Sequence, residues 1–381
     1  MGCRGRFIDE RLCKRYRVRQ FGKDIAMTTF IPKNLPLTQT IETIKVLRKT
    51  IQANRALAKL NGVAKIIPNQ NILINSLVLQ EAKDSSEIEN IITTHDELFR
   101  AGLDITSVTN ETKEVQHYRQ ALLKGFALVQ ENGLLLKRDI VAMQQELEQN
   151  DAGVRRQSGT VLRNVATGEV IFEPPQEYAV IQELLTNLEY YINEPNDIDP
   201  LINMAIIHYQ FETIHPFYDG NGRTGRIINI LYLIFKELLD IPILYLSSYI
   251  IQHKADYYRL LQEVRTENNW EEWILYMLDG VEQTSLETIK LVDGIHRLMD
   301  ESKEKIKSEL PKIYSKDLVE ILFMHPYTKI DFLVSGLGIT RKTASKYLNA
   351  LEQIGLIENI QIKNSKFFIN KELFDMLKKG I

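Results

Sequence analysis

Cysteine is almost missing from this chain of 381 residues: only Cys3 and Cys13 occur, both in a short basic stretch at the start. That excludes a disulfide framework and a cysteine-based metal site, and a reducing cytoplasm is the expected setting. Long apolar runs are missing too. With no stretch of about 18 uninterrupted apolar residues, no membrane span is expected. Residues 1–27 lack the apolar segment of a secretory signal. Internal repeats and low-complexity tracts are absent. So is a strong overall charge, the formal net being −3.

What is present is ordinary in amount and uneven in place. An apolar share of 44% and a charged share of 25% suit a globular protein, and the length predicts two or three domains. Residues 1–27 carry a net +5 and residues 311–381 a net +4, which leaves −12 on residues 28–310. The acidic middle argues against nucleic acid there. The tail is the one folded region where such binding is electrostatically plausible.

Periodicity predicts a mainly α-helical chain. The leader, residues 1–29, reads as a disordered arm, or as sequence ahead of a start at Met27. Leu37–Leu60 reads as a helix with Ile41, Ile44, Leu47, Ile51 and Leu57 inward. A second helix begins near Asn71, is interrupted or recapped at Asp84-Ser85-Ser86, and resumes from Ser86 to about Arg100. Two more helices fill residues 111–150, split at Asn132-Gly133. Short strand-like runs at Gly159–Asn164 and Glu169–Phe172, joined through Thr167-Gly168, predict a β-hairpin. Apolar helices then flank residues 215–226, followed by helices at Ala255–Val264, Trp270–Thr288 and Leu291–Leu310. From Pro311 the pattern is a separate unit: helices at Leu318–Met324, at Lys329–Gly336 and after a Thr340 cap, then a two-stranded wing. Helix-turn-helix plus wing is the expected assembly.

Residues 215–226 read His-Pro-Phe-Tyr-Asp-Gly-Asn-Gly-Arg-Thr-Gly-Arg. Gly220, Gly222 and Gly225 let backbone approach an anion. The loop feeds an apolar helix, whose free amides and dipole favour negative charge. Arg223 and Arg226 lie one turn apart and can face one polyphosphate. Asp219 can hold Mg²⁺. His215 can be neutral near pH 7 and take a proton from a hydroxyl. Phe217 is an expected anchor for the loop. No Gly-Lys-(Ser/Thr) ending is present, which speaks against a Walker-type ATPase.

This segment resembles the signature of the Fic family, His-x-Phe-x-(Asp/Glu)-Gly-Asn-Gly-Arg-x-x-Arg, at every defined position. The resemblance spans roughly residues 35–290. It implies a helical bundle that transfers a nucleoside monophosphate, usually AMP from ATP, to a protein hydroxyl. On this chain it implies His215 as base and Asp219 as Mg²⁺ ligand. Asn221 and the loop amides Gly220, Gly222, Thr224 and Gly225 would hold the α-phosphate. Arg223 would take the β-phosphate and Arg226 the γ-phosphate. It also implies a homodimer.

Ser85-Ser-Glu-Ile-Glu89-Asn90 is similar to the inhibitory pattern of the family, (Ser/Thr)-x-x-x-Glu-(Gly/Asn). Glu89 is expected to form a bidentate pair with Arg226 and so contest the ATP site. The same glutamate implies a second activity in some relatives, removal of AMP. Residues 159–172 match the family's flap, with Thr160, Val161, Leu162 and Arg163 as the docking strand for a target protein. Tyr257 and Tyr258 fall where aromatic residues approach the nucleobase, and core packing is the equal alternative for each. His208 reads as a structural histidine. In the tail, Arg341, Lys342, Lys346, Lys363 and Lys366 suit phosphate contacts, so DNA is a possible partner, with dimerisation or protein docking as the alternative. The domains expected are 1–29, 30–110 with the inhibitory helix, 111–290 as catalytic core, a connecting helix at 291–310, and 311–381 as a winged helix. The function expected is protein AMPylation held down by Glu89. A de-AMPylase, and a DNA-binding regulator with a nucleotide-sensing core, are the rivals.

Overall fold

The computed structural model describes residues 29–379 except 102, 104–107, 164–167, 169 and 363–364. Most of the expected leader, Asn164 and Thr167 of the hairpin, and Lys363 of the wing lie outside the described residues. Within them the chain is mainly helical. The first elements are α1 (Ile44–Ala64), α2 (Asn71–Ile88), α3 (His95–Ala101), α4 (Asn110–Asn132) and α5 (Lys137–Glu148). A small hairpin follows, β1 (Leu162–Arg163) and β2 (Val170–Phe172). Then come α6 (Tyr178–Asn193), α7 (Pro200–Ile214), α8 (Asn221–Phe235), α9 (Leu246–Gln252), α10 (Lys254–Glu267) and α11 (Trp270–Glu309). The tail holds α12 (Lys316–Met324), β3 (Tyr327–Thr328), α13 (Ile330–Leu337), α14 (Arg341–Gln353), β4 (Glu358–Ile362), β5 (Ser365–Ile369) and α15 (Lys371–Lys379).

The core is built around α7 and α8. Every residue of α7 from Leu201 to Ile214 is buried, and α8 is buried from Arg223 to Ile234. A helix that is apolar all round belongs in the middle of a bundle. The dodecamer is the link between these two helices, so both of its ends are fixed. α1 packs along α11 with a phase the sequence pattern did not anticipate. Its inner face is Val46, Thr50, Ala53, Leu57, Leu60 and Ala64, whereas Ile44, Leu47 and Ile51 are exposed. Small residues at positions 53, 56 and 64 let two helices approach closely, and that outweighs the larger aliphatics.

Two expected breaks do not occur. α2 runs through Asp84-Ser85-Ser86 without interruption, because Ser85 and Ser86 are buried and Ser85 turns its hydroxyl to Arg226 rather than to a cap. The real break falls at 89–94. There Thr94 and Glu97 form a reciprocal cap for α3, with Thr94 N to Glu97 Oε2 at 3.0 Å and Glu97 N to Thr94 Oγ1 at 3.2 Å. Likewise Trp270–Thr288 and Leu291–Leu310 are one helix of 40 residues, since neither glycine nor proline separates them.

The hairpin is shorter than expected, with two and three residues in its strands and an irregular register between Leu162 and Arg163. In the tail, α14 starts from the predicted Thr340 cap, whose hydroxyl accepts from Thr343 N at 3.2 Å. The hairpin β4–β5 gains a third strand, β3, giving an antiparallel order β3-β5-β4. The tail also packs on α2 and α3. Asn69 Nδ2 reaches Glu320 at 3.1 Å, Tyr327 donates to Asp96, the Gln80 amide donates to the Leu377 carbonyl, and Phe99 meets Phe374 edge-on at 5.8 Å.

Candidate active site

α7 ends at His215, the C-cap residue, which adopts the left-handed conformation at φ 49°. A non-glycine residue held there is unusual and over-determined by its surroundings. The next turn closes on itself through Asn221. Its amide donates to the Phe217 carbonyl at 2.9 Å and accepts from the Phe217 amide at 2.8 Å. Asn221 was expected to hold the α-phosphate. Its side chain is instead spent on loop closure, which leaves its main-chain amide for an anion. Phe217 is fully buried, the anchor expected. Gly220 caps α8 at φ 76°, a conformation glycine adopts at little cost. Arg155 fastens the loop from outside. Its Nε donates to the His215 carbonyl at 2.8 Å, another nitrogen donates to the Pro175 carbonyl, and its main-chain amide donates to Pro216. No pattern in the sequence marks Arg155, because its neighbours in space are main-chain carbonyls.

Electrostatics fit the roles. Burial, and next the Arg155 guanidinium, push the His215 imidazole down to about 4, against the weaker upward pull of the Glu212 main chain and the Glu89 carboxylate. His215 is therefore neutral at physiological pH and able to accept a proton. Asp219 is exposed and accepts from the Gly220 amide at 2.7 Å. Among the described residues no group of three or more acidic, histidine or cysteine side chains is gathered for a metal. One exposed carboxylate beside an anion cradle is still a fit for Mg²⁺, which keeps most of its waters and takes further oxygens from phosphates. Glu212, at the end of α7, is buried and raised to about 7 by that burial, in opposition to Arg226.

Arg226 is 2% exposed and held from α2. Its Nε donates to Ser85 Oγ at 2.7 Å, and one Nη donates to both the Ser85 carbonyl and Glu89 Oε1 at 2.8 Å. The expected bidentate pair is thus corrected: Glu89 makes one bond and Ser85 supplies the rest. Burial would raise the Glu89 carboxyl, but the charge and hydrogen bond of Arg226 outweigh it and hold it below the usual range. Glu89 is the C-cap of α2 and Asn90 follows at φ 64°. Asn90 N bonds to Glu87 O at 2.9 Å and Ile91 N to Ser86 O at 3.0 Å, a Schellman stop. Asn90 thus has a physical reason for its place: it supplies the left-handed residue that terminates the helix after Glu89.

Other candidates separate. Gly222 lies under Glu89, since a Cβ there would overlap Glu89 Oε1. Thr224 and Gly225 are buried in the first turns of α8. Tyr257 lies in the core with Glu212, Arg226 and Glu89 among the charges acting on it. It is buried, and its hydroxyl meets His208 Nε2 at 2.8 Å. His208 is structural as expected, its second nitrogen 3.1 Å from the Asn229 amide. Tyr258 stays exposed, with Glu89 and Arg226 among the charges acting on it. Thr160, Val161 and Leu162 are partly exposed and Arg163 fully so. Arg223 is engaged by Glu148 and Glu114, two partners with no local sequence signal.

Three family descriptions match along the chain: "Fic/DOC family N-terminal" over residues 47–127, "Fic/DOC family" over 134–233, and "Protein adenylyltransferase SoFic-like, C-terminal domain" over 298–373. A Drosophila mojavensis protein named protein adenylyltransferase Fic is 24% identical over 188 residues, covering 47% of this chain and 35% of that one. Its Drosophila grimshawi namesake is 29% identical over 105 residues, 26% of this chain and 20% of that one. The chain thus spans about a third or less of the length of these curated relatives. Among solved structures, a Fic family protein from Desulfovibrio desulfuricans G20 superposes with a TM-score of 0.57 at 20% identity, covering 88% of this chain and 98% of that one. The Fic-1 structure from C. elegans does so with 0.51 at 20% identity, covering 65% and 74%. A shared fold, the matched segments and the intact dodecamer agree, and the chain belongs to the Fic/DOC family.

Proposed function

We propose that this chain is a protein adenylyltransferase that moves AMP from ATP to a Tyr, Thr or Ser hydroxyl of a protein, itself included, and that Glu89 restrains it. The observation that carries the reading is a neutral, buried-side imidazole at one end of a rigid loop whose other end is a glycine-lined helix N-terminus with Arg223 and Arg226. His215 takes the hydroxyl proton, and the oxygen attacks the α-phosphorus. The bond from that phosphorus to the bridging β-oxygen breaks and pyrophosphate leaves, with the proton retained on the imidazole. The first-turn amides of α8 stabilise the charge that develops on the α-phosphate. Arg223 and Arg226 orient the leaving pyrophosphate, and positioning does most of the work. Asp219 is the residue to hold Mg²⁺, which supplies charge neutralisation on the phosphates.

Labelled ATP tests this directly. Glu89→Gly is expected to raise self-labelling by about tenfold or more, and His215→Ala in that background to abolish it. Labelling that survives the histidine change, or that stays flat in Glu89→Gly, sinks the proposal. Removal of AMP is a second role. It is favoured by one observation: the Glu89 carboxylate stays anionic and keeps 35% of its side-chain surface open, so it can orient a water. The tail is best read as a winged-helix docking module for protein. Two of the basic residues that suited phosphate contacts are paired with neighbouring acids, Arg341 with Asp331 and Lys366 with Glu352, which weakens the case for DNA. A homodimer remains part of the proposal, testable by light scattering. No helix among the described residues is long and apolar enough to cross a membrane.

A further inference from the structure

Arg223 has the kind of neighbour that Arg226 has. Glu148 is the last residue of α5, and its Oε1 lies 2.8 Å from Arg223 Nη2. Glu114 of α4 approaches Nη1 at 3.3 Å. The Arg223 side chain is 4% exposed and that of Glu148 13%, so the pair is mostly out of water; burial, against the pull of Arg223 and with Asp219 and Glu114, raises the Glu148 carboxyl to about 7, and its oxygen accepts from the guanidinium in either protonation state. The Glu148 carboxylate also rests on the loop itself, since a Cβ at Gly220 would overlap its Oε1. The same turn carries Glu89 over Gly222, paired with Arg226. The first turn of α8 therefore holds two carboxylates, each seated over a glycine and each matched to one guanidinium. Helix stability gives Glu148 no reason to be where it is, because an acidic residue in the last turn opposes the helix dipole.

We propose that Glu148 is a second phosphate-mimicking residue. It positions Arg223 in the free protein, must release it when a polyphosphate enters, and sets nucleotide affinity separately from Glu89. The idea rests on the ATP reading above and extends it to the other arginine. Glu114, more exposed and at longer range, is the lesser partner.

The test is calorimetric titration of the full chain with inorganic pyrophosphate and with MgATP. Pyrophosphate reports on the two arginines without base or ribose. Glu148→Gln and Glu89→Gly are each expected to raise pyrophosphate affinity about tenfold, and the double variant further than either alone, because different arginines are freed. Adding Arg223→Ala to Glu148→Gln should erase that gain. Glu148→Asp, which keeps the charge on a shorter arm, should show a smaller gain and guards against a glutamine variant that folds poorly. If Glu148→Gln and Glu148→Asp bind no tighter than wild type while Glu89→Gly does, the second carboxylate is overturned and the ATP reading stands. A gain that persists without Arg223 overturns it as well. If neither probe binds wild type or Glu89→Gly, both readings fall.

Discussion

At the residue scale the site turns on what burial does to charge. His215 is held near 4 by burial and by Arg155, so it binds its proton only in acid. The labelling rate of the Glu89→Gly variant is expected to stay level from pH 8 down to about 5, and to fall as the imidazole charges. Arg155→Ala removes a cation that depresses the ring, so the acid limb should move up toward the ordinary 6.5. A limb that stays put would show that Arg155 acts on the loop alone. The dodecamer was legible because its groups are contiguous and each needs its own residue type. Arg155, Glu148 and Glu114 were not, since each reaches the site across 60 or more residues of chain and ordinary surface roles use the same residue types. Tyr257 was legible only as one of two alternatives, and its buried ring and the bond of its hydroxyl to His208 fit the core-packing one.

At the element scale, a helix end sets where Glu89 stands against Arg226. The pattern around Glu89 was readable, but not as a helix terminus, because the two serines look like a cap while their side chains face inward. The stop belongs to Asn90. Asn90→Gly should keep or slightly raise stability and leave labelling unchanged. Asn90→Ala keeps the Cβ but loses the side-chain amide that lets asparagine tolerate the left-handed region, at a cost of about 1 kcal/mol, and should raise basal labelling as the end of α2 loosens. Denaturant melts together with label incorporation check both, and an alanine variant as quiet and as stable as wild type would count against the cap. The mis-phased face of α1 has a related cause: hydrophobicity ranks side chains by size, whereas packing against α11 selected alanines.

For the whole molecule, core and tail share α11 and meet again on α2 and α3. Calorimetry should therefore show one cooperative transition, and Phe374→Ala, which removes the ring packed on Phe99, should lower its midpoint; two separated peaks would refute the coupling. Acid and base effects nearly offset one another. Burial lowers His95, His208, His215 and His325 to about 4, 3, 4 and 4, so their contribution is complete above about 6.5 and is lost as pH falls. Burial raises Glu81, Glu148 and Glu212 to about 7, so theirs is complete below about 4.3 and is lost as pH rises through 7. Four histidines against three carboxyls leave a shallow rise in stability between pH 5 and 7, and Glu81→Gln should steepen it. The separate helices at 270–288 and 291–310 were an over-division of the sequence, and their fusion has a consequence of its own. A helix of 40 residues is a rod of about 60 Å that turns about 100° per residue. One residue inserted near its far end would swing the tail through more than a quarter of a circle, while seven would return it almost to its first bearing. Under the proposed docking role the tail's partner meets the His215 mouth at one azimuth, and the length of that rod is a phase as much as a distance.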